Sequence, residues 1–134
     1  MRVFRDVNVL FSASNSASNI ARLIQLLFER GTAVSSDFAV EEARRNIELK
    51  RPAWTEDFQQ LATRIEIVPS VQFALPVELA EKDTPILCTS IQATCQALVT
   101  GDKRHFGHLY GQTINGVRIV SLLQLADMLT SPRE

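Results

Sequence analysis

Five short apolar runs alternate with longer segments of helical periodicity, and this alternation constrains the fold more than any other feature of the chain. The runs are RVFRDV, TAVSS, IEIV, ALVT and VRIVS. Between them, apolar residues recur every three or four positions, as in DFAVEEARRNIELK, which is the spacing of an amphipathic helix. Strands that alternate with helices form a parallel sheet covered by helices on both faces. We therefore predict an α/β fold with a central, mostly parallel sheet of four to five strands.

We expect one domain over residues 1–134, because no shift in composition and no low-complexity linker divides the chain. Hydrophobic residues make up 46% of it, enough to fill a core. The formal net charge of −1 argues against bulk attraction to nucleic acid or to an anionic membrane. No apolar run approaches membrane-spanning length, and the N-terminus lacks the layout of a secretory signal. We therefore expect a cytoplasmic protein with no membrane partner.

The middle of the chain is harder to assign than its ends. Residues 70–83 show no clear periodicity, and we predict a short helix around residues 77–81. The next segment, TPILCTSIQATC, is predicted to be one helix that contains both Cys88 and Cys95. Seven residues of helix rise about 10 Å, too far for a disulfide. We expect two reduced cysteines in the core.

Two acids follow strands of the predicted sheet. Asp6 interrupts the apolar run VFRDVNVL, where a buried carboxylate is costly unless something pairs with it. Asp102 comes directly after the strand ALVT, in TGDK. Because sites in open α/β sheets form at the carboxyl ends of the strands, we expect these two acids to share one edge.

Two further acids are placed near that edge by less direct arguments. In DFAVEEARRNI, Glu42 falls on the border of the apolar face, whereas Glu41 lies nearly opposite it, in solvent. Asp83 precedes the helix TPILC, where its carboxylate either lines a cleft as a ligand or caps the helix. Capping is the commoner role of an Asp at such a position. Each acid has a plain structural explanation: bonding to nearby amides for Asp6, a surface pair for Glu42 and turn chemistry for Asp102. Their joint placement favours a site.

These motifs resemble those of the PIN domains, α/β metal-dependent nucleases of which many are toxin ribonucleases of bacterial toxin–antitoxin pairs. PIN domains open with an apolar strand, an Asp, one residue and Asn or Thr, as in VFRDVNVLFSA. Their second acid is a Glu in a helix, as in SSDFAVEEARRNI, and their third opens a helix, as in DTPILCTSI. The last acid matches LVTGDKRHF, and GVRIVSLLQLADML looks like the closing strand and helix.

The resemblance implies a PIN-like three-layer sandwich and an endoribonuclease that hydrolyses RNA phosphodiester bonds with a metal-activated water. Asn8 and Thr100 would donate hydrogen bonds that fix the carboxylates. A cognate antitoxin protein and a second copy of the chain, in a homodimer, are the implied protein partners. The residues that match the family's acids would carry both metal binding and catalysis: Asp6, Glu42, Asp83 and Asp102.

The chemistry of the four acids also indicates that the cofactor is a metal ion. Four carboxylates in one cleft repel one another unless a cation neutralises them or some stay protonated. Ligands that are all oxygen suit Mg²⁺ or Mn²⁺ rather than zinc. His105 and His108 form an i, i+3 pair, but without a third ligand in view we do not expect a zinc site.

Basic residues near the acids are candidate RNA contacts. Six of them flank the acids and could contact phosphates: Arg44, Arg45, Lys50, Arg51, Lys103 and Arg104. Lys103 and Arg104 directly follow the last acid and are the preferred pair, with Arg45 as the third choice. A solvated helix face explains the first four about as well.

Two positions depart from the PIN pattern. Gln96 stands where many relatives carry a further Asp. Arg5 precedes Asp6 where an apolar residue is usual, so its cation either pairs with the acid or faces outward on an uncovered part of the sheet. We prefer the outward interpretation.

Two other functions compete with the nuclease. Phosphatases of the haloacid dehalogenase class also begin with a strand and DxD, but this chain has Asn8 at the second acid and Phe106 where a later one should stand. The other alternative is a catalytically degenerate module on the same fold that binds RNA or protein, with the acids vestigial.

Overall fold

A computed structural model of the chain describes residues 1–15 and 18–130. Within them, six strands form one sheet: β1 Arg2–Arg5, β2 Thr32–Ser36, β3 Glu66–Val68, β4 Ala97–Val99, β5 Thr113–Ile114 and β6 Val117–Val120. The helices are α1 Val7–Ala13, α2 Asn19–Arg30, α3 Asp37–Lys50, α4 Thr55–Ala62, α5 Thr84–Gln92, α6 Lys103–Phe106 and α7 Leu122–Thr130. Two short 3₁₀ turns, Pro52–Trp54 and Gly107–Leu109, precede α4 and follow α6.

The strands lie in the order β3-β2-β1-β4-β6-β5, and all neighbours are parallel except β5 and β6. The chain runs from β1 outward to β2 and β3, then crosses back so that β4 lies on the other side of β1. The direction of travel therefore reverses between β1 and β4. In open α/β sheets, ligands bind at the carboxyl ends of the strands beside such a reversal.

The sheet has one strand more than the upper limit of the prediction. The additional strand, β5, is only two residues long and pairs with β6 through a turn at Asn115 and Gly116. Both turn residues have positive φ, 48° and 89°, as a type I′ hairpin turn requires. Two residues are too few to produce a strand pattern, so the sequence indicated only a loop there.

Both faces of the sheet are covered, and the predicted α/β sandwich is confirmed. Consecutive residues of β4, which point to opposite faces, are all buried, as are Val3 and Phe4 in β1. Helices α1 to α4 form one packed group, α7 packs on α2 and β6, and α5 contacts β2 and β4. Among the described residues, no helix has both the length and the apolar character needed to cross a bilayer.

The middle of the chain differs from the prediction at two points. Residues 69–80 contain no helix, so the short helix predicted around residues 77–81 is wrong. Helix α5 ends at Gln92 and Thr94 takes a positive φ of 56°, which leaves Cys95 beyond the helix rather than inside it. Both Cys88 and Cys95 are buried, free thiols.

Arg5 does not face outward, and the preferred interpretation of that residue is wrong. Its side chain is 0% exposed, enclosed beneath the helices that cover the sheet. Burial lowers the pKa of its guanidinium to about 9, and the positive charge of Arg64 adds to this effect. The charges of Asp83 and Asp102 raise the pKa of the Asp6 carboxyl.

Gly31 separates α2 from β2 at a very close approach of two backbones. A Cβ built on Gly31 would lie 2.2 Å from the carbonyl oxygen of Met1. The same carbonyl accepts a hydrogen bond of 2.7 Å from Thr32 N–H, at the beginning of the β1–β2 pair. Only glycine leaves room for that contact.

Candidate functional site

A cavity of about 350 Å³ opens at the carboxyl ends of β1 and β4. All four acids singled out from the sequence line it, together with Asn8. They reach it from different elements: one acid after β1, one on α3, one before α5 and one after β4. The remaining lining residues are Val7, Phe11, Ser12, Phe38, Asn46, Lys50, Lys82 and Ile86.

Asp6 is held by hydrogen bonds to both of its carboxylate oxygens. Oδ1 accepts from the N–H of Val7 at 2.7 Å and thereby caps α1, and Oδ2 accepts from Thr100 Oγ1 at 2.7 Å. The residue is only 6% exposed. Burial raises the pKa of the Asp6 carboxyl, the hydrogen bonds from Thr100 and Val7 lower it, and the charges of Asp83 and Asp102 raise it further.

Thr100 joins the ends of the two central strands. Its hydroxyl donates to Asp6, 94 positions earlier in the chain, and accepts a hydrogen bond of 3.1 Å from the N–H of Asp102. Its own carbonyl accepts a hydrogen bond of 2.8 Å from the hydroxyl of Tyr110. One buried side chain thus fixes two acids relative to each other.

Asp102 is both a turn residue and a cavity residue. Its Oδ1 accepts from the N–H of His105 at 3.2 Å, which caps α6. Its Oδ2 lies 2.7 Å from the Nδ1 atom of the same histidine. The turn role that the TGDK sequence indicated is therefore present, and it aims the carboxylate at the cavity.

Asp83 does not cap α5, although capping was its commoner expected role. No side-chain hydrogen bond is formed at that helix start. The residue is 6% exposed, and its Oδ2 has no hydrogen-bond partner among the described residues. Burial raises the pKa of the carboxyl; His105 and Lys82 lower it, whereas Asp102 and Glu42 raise it.

The two neighbouring glutamates of α3 take different environments, as the helical phase predicted. Glu41 is exposed and forms an ion pair with Arg44, which also binds Glu48 at 2.6 Å. Glu42 is half-buried and lines the cavity. The exposed pair on α3 therefore involves the glutamate that does not line the cavity.

Asn8 makes a different contact from the one expected. The sequence suggested a donor to the carboxylates, but its Oδ1 accepts a hydrogen bond of 3.1 Å from the N–H of Gly101. It thereby holds the backbone of the loop that carries Asp102. Gln96 lies at the amino end of β4, where its Oε1 accepts from the N–H of Arg2, so it is at the edge of the sheet opposite the acids.

The preferred basic residues do not line the cavity. Lys103, Arg104 and Arg45 are exposed and are absent from the lining, whereas Lys50 and Lys82 belong to it. Lys50 was among the wider set of candidates from the sequence, and it follows Glu42 by two helical turns on α3. Lys82 lies in the segment without periodicity, where no pattern pointed to it. Phe38, 40% exposed, adds an aromatic wall that the sequence analysis also missed.

His105 joins two of the acids in the tightest group of potential ligands among the described residues. Ligand atoms of Asp83, Asp102 and His105 all lie within 4.8 Å of one another. His108, the other member of the i, i+3 histidine pair, is exposed and belongs to no such group in the described part of the chain. Asp102 is a neighbour of His105 in the sequence, three positions earlier, whereas Asp83 reaches it only through the fold.

Solved structures provide the comparison with known proteins. No protein-family model matches the chain, and no curated protein matches it. A chain from the crystal structure of Rickettsia felis VapBC2, bound to a DNA fragment from its promoter, superposes with a TM-score of 0.65 at 16% identity, covering 90% of this chain and 98% of that one. A PilT N-terminus domain protein from the archaeon Sulfolobus solfataricus P2 gives a TM-score of 0.55 at 12% identity, covering 100% and 98%.

The protein has the PIN-domain fold. The abbreviation stands for PilT N-terminus, and both superpositions span nearly the whole of each chain. The PIN fold expected from the sequence motifs is therefore confirmed. At identities of 16% and 12% the likeness establishes the fold, and the chemistry has to be argued from the cavity.

Proposed function

We propose that this PIN-fold protein is a metal-dependent endoribonuclease that hydrolyses RNA phosphodiester bonds. The observation that supports it most is the meeting of Asp6, Glu42, Asp83 and Asp102 around one cavity, beside the reversal of strand order. Four carboxylates from four elements are not needed to stabilise a fold, because their mutual repulsion opposes it. Their arrangement is best explained by a cation.

The donor set fits a hard divalent ion, Mg²⁺ or Mn²⁺. The raised pKa values of Asp6 and Asp83 reflect burial and like-charge repulsion, both of which a bound cation would offset. Asp83 also offers a buried Oδ2 that no hydrogen bond occupies among the described residues. We assign Asp6, Asp83 and Asp102 as ligands and Glu42 as the residue that binds or orients the attacking water.

The metal ion and the protein's own residues would have different roles in the reaction. A bound divalent ion supplies an activated water and stabilises negative charge on the phosphate. Lys50 and Lys82 line the same cavity and are placed to hold phosphates of the polyanion that the acids alone would repel. Thr100 and Asn8 hold the ends of β1 and β4 so that the acids keep their positions.

We further propose that the protein is the toxin of a toxin–antitoxin pair that acts in the cytoplasm. The fold is shared with a chain of the VapBC2 structure, whose components bind a fragment of their own promoter. The expected partners are an antitoxin protein that covers the acid cavity and a second copy of the chain. Co-expression with a small protein encoded next to it should relieve any growth arrest that the chain causes alone.

The decisive experiment is cleavage of labelled RNA with Mg²⁺ or Mn²⁺. Asp6→Asn, Asp102→Asn and Glu42→Gln should each lower the rate by about a hundredfold or more, because each change removes a carboxylate from the cavity. Glu41→Gln is the matched control, since it changes the neighbouring glutamate on the exposed side of α3.

Equal rates in wild type and all four variants would overturn the assignment. RNA binding without cleavage in any protein would favour the degenerate binding module instead.

A further inference from the structure

His105 occupies a position between two carboxylates that the proposed ligand set leaves unused. Its Nδ1 atom lies 2.7 Å from Asp102 Oδ2 and 3.3 Å from Asp83 Oδ2. Asp102 and His105 belong to one turn at the beginning of α6, whereas Asp83 comes from the approach to α5. The imidazole is 29% exposed.

Asp83 Oδ2 is buried and has no hydrogen-bond partner among the described residues, even though His105 lies nearby. A buried carboxylate oxygen without a hydrogen bond is costly, because it has given up its hydrogen bonds to water. An ion placed among the three side chains would supply the missing interaction.

We propose that Asp83, Asp102 and His105 form a mixed oxygen–nitrogen metal site that binds Mn²⁺ in preference to Mg²⁺. This inference rests on the proposed nuclease function, because it concerns the metal ion that the nuclease would use. Both ions favour oxygen ligands, but Mn²⁺ is a first-row transition ion and accepts an imidazole nitrogen more readily than Mg²⁺ does. A ligating nitrogen must present its lone pair, so the ring proton then lies on the other nitrogen.

The alternative role of His105 is to orient Asp102 without touching the ion. A residue that only positions Asp102 would affect Mg²⁺ and Mn²⁺ alike, whereas a ligand affects chiefly the ion that accepts nitrogen. The ratio of the two affinities therefore separates the two roles.

The chain contains only two histidines, which makes a direct test possible. In tag-free His108→Gln protein, His105 is the one remaining imidazole. Pulsed electron paramagnetic resonance of Mn²⁺ bound to this protein should show nitrogen coupling that changes when histidine is labelled with ¹⁵N. This measurement does not depend on whether a His105 variant folds. Absence of that coupling would overturn the proposal.

Calorimetric titration gives the second measurement. His105→Gln should weaken Mn²⁺ binding by about tenfold or more and change Mg²⁺ binding much less, while His108→Gln should change neither. Equal losses for both ions would assign His105 to the positioning role and refute the site. Nitrogen coupling in a protein that cuts no RNA would overturn the nuclease function alone, whereas RNA cleavage with Mn²⁺ but no coupling would overturn only the mixed site.

Discussion

Thr100→Val should lower the free energy of unfolding far more than the removal of an exposed hydroxyl group would. The hydroxyl donates to the buried carboxylate of Asp6 and accepts from the N–H of Asp102, and valine can do neither. A hydrogen bond to a charged group contributes about 1.5–3 kcal/mol, and a backbone N–H left without its acceptor costs about 1 kcal/mol where water still reaches it. The free energy of unfolding should therefore fall by about 3 kcal/mol.

Urea unfolding at pH 7 without divalent metal measures this change, and a thermal melt should show a midpoint lower by roughly 10 °C. Thr100→Ser retains both hydrogen bonds and loses only a methyl group, so it should cost about 1 kcal/mol. Thr63→Val is the matched control, because Thr63 is exposed and its hydroxyl donates to the carbonyl of Gln60 at 2.6 Å. If Thr100→Val costs no more than Thr63→Val, or if Thr100→Ser costs as much as Thr100→Val, Thr100 does not stabilise the site through these two bonds.

Three further predictions concern the acids, the backbone and the cavity wall. Burial raises the pKa of Asp6 in the folded protein, so the folded state is favoured while this carboxyl is protonated. The part of the free energy of unfolding that Asp6 contributes below its ordinary pKa near 3.8 is therefore lost as the pH rises through the raised pKa. Asp6→Asn should therefore be more stable than wild type at pH 7–8 without metal and less dependent on pH, and lower stability in urea would contradict this. Gly31→Ala should cost about 1–3 kcal/mol in the same assay, because its Cβ would meet the carbonyl of Met1 at 2.2 Å; an unchanged midpoint would show that the backbones can part. Phe38→Ala should weaken binding of labelled single-stranded RNA, measured by anisotropy in Ca²⁺, by about 1–3 kcal/mol, whereas Phe73→Ala, exposed outside the cavity, should not.

The parts of the molecule that follow from local pattern were accessible from sequence. The order of strands and helices placed Asp6 and Asp102 at the same edge of the sheet, and helical phase alone distinguished Glu42 from Glu41. Both arguments use only the periodicity of strands and helices, which can be read from the sequence itself.

The parts that depend on contact between distant segments were not accessible. His105 meets Asp83 only because the start of α5 lies beside the turn after β4, and no spacing encodes that contact. Arg5 was misjudged because a fully buried arginine contradicts the usual preference of charged groups for solvent. Lys82 lies in a stretch with neither strand nor helix period, so only the folded chain places it in the cavity.

The central position of β4 sets the moment at which the acids come together during synthesis. Its partner β1 is made before it, so the pairing of Phe4 with Leu98 must wait until the more than ninety residues between them have been made. Closing such a long loop is also a slow, non-local step in folding. If the chain is the nuclease that we propose, a fragment that ends before β4 lacks Asp102 and cannot assemble the acid cavity.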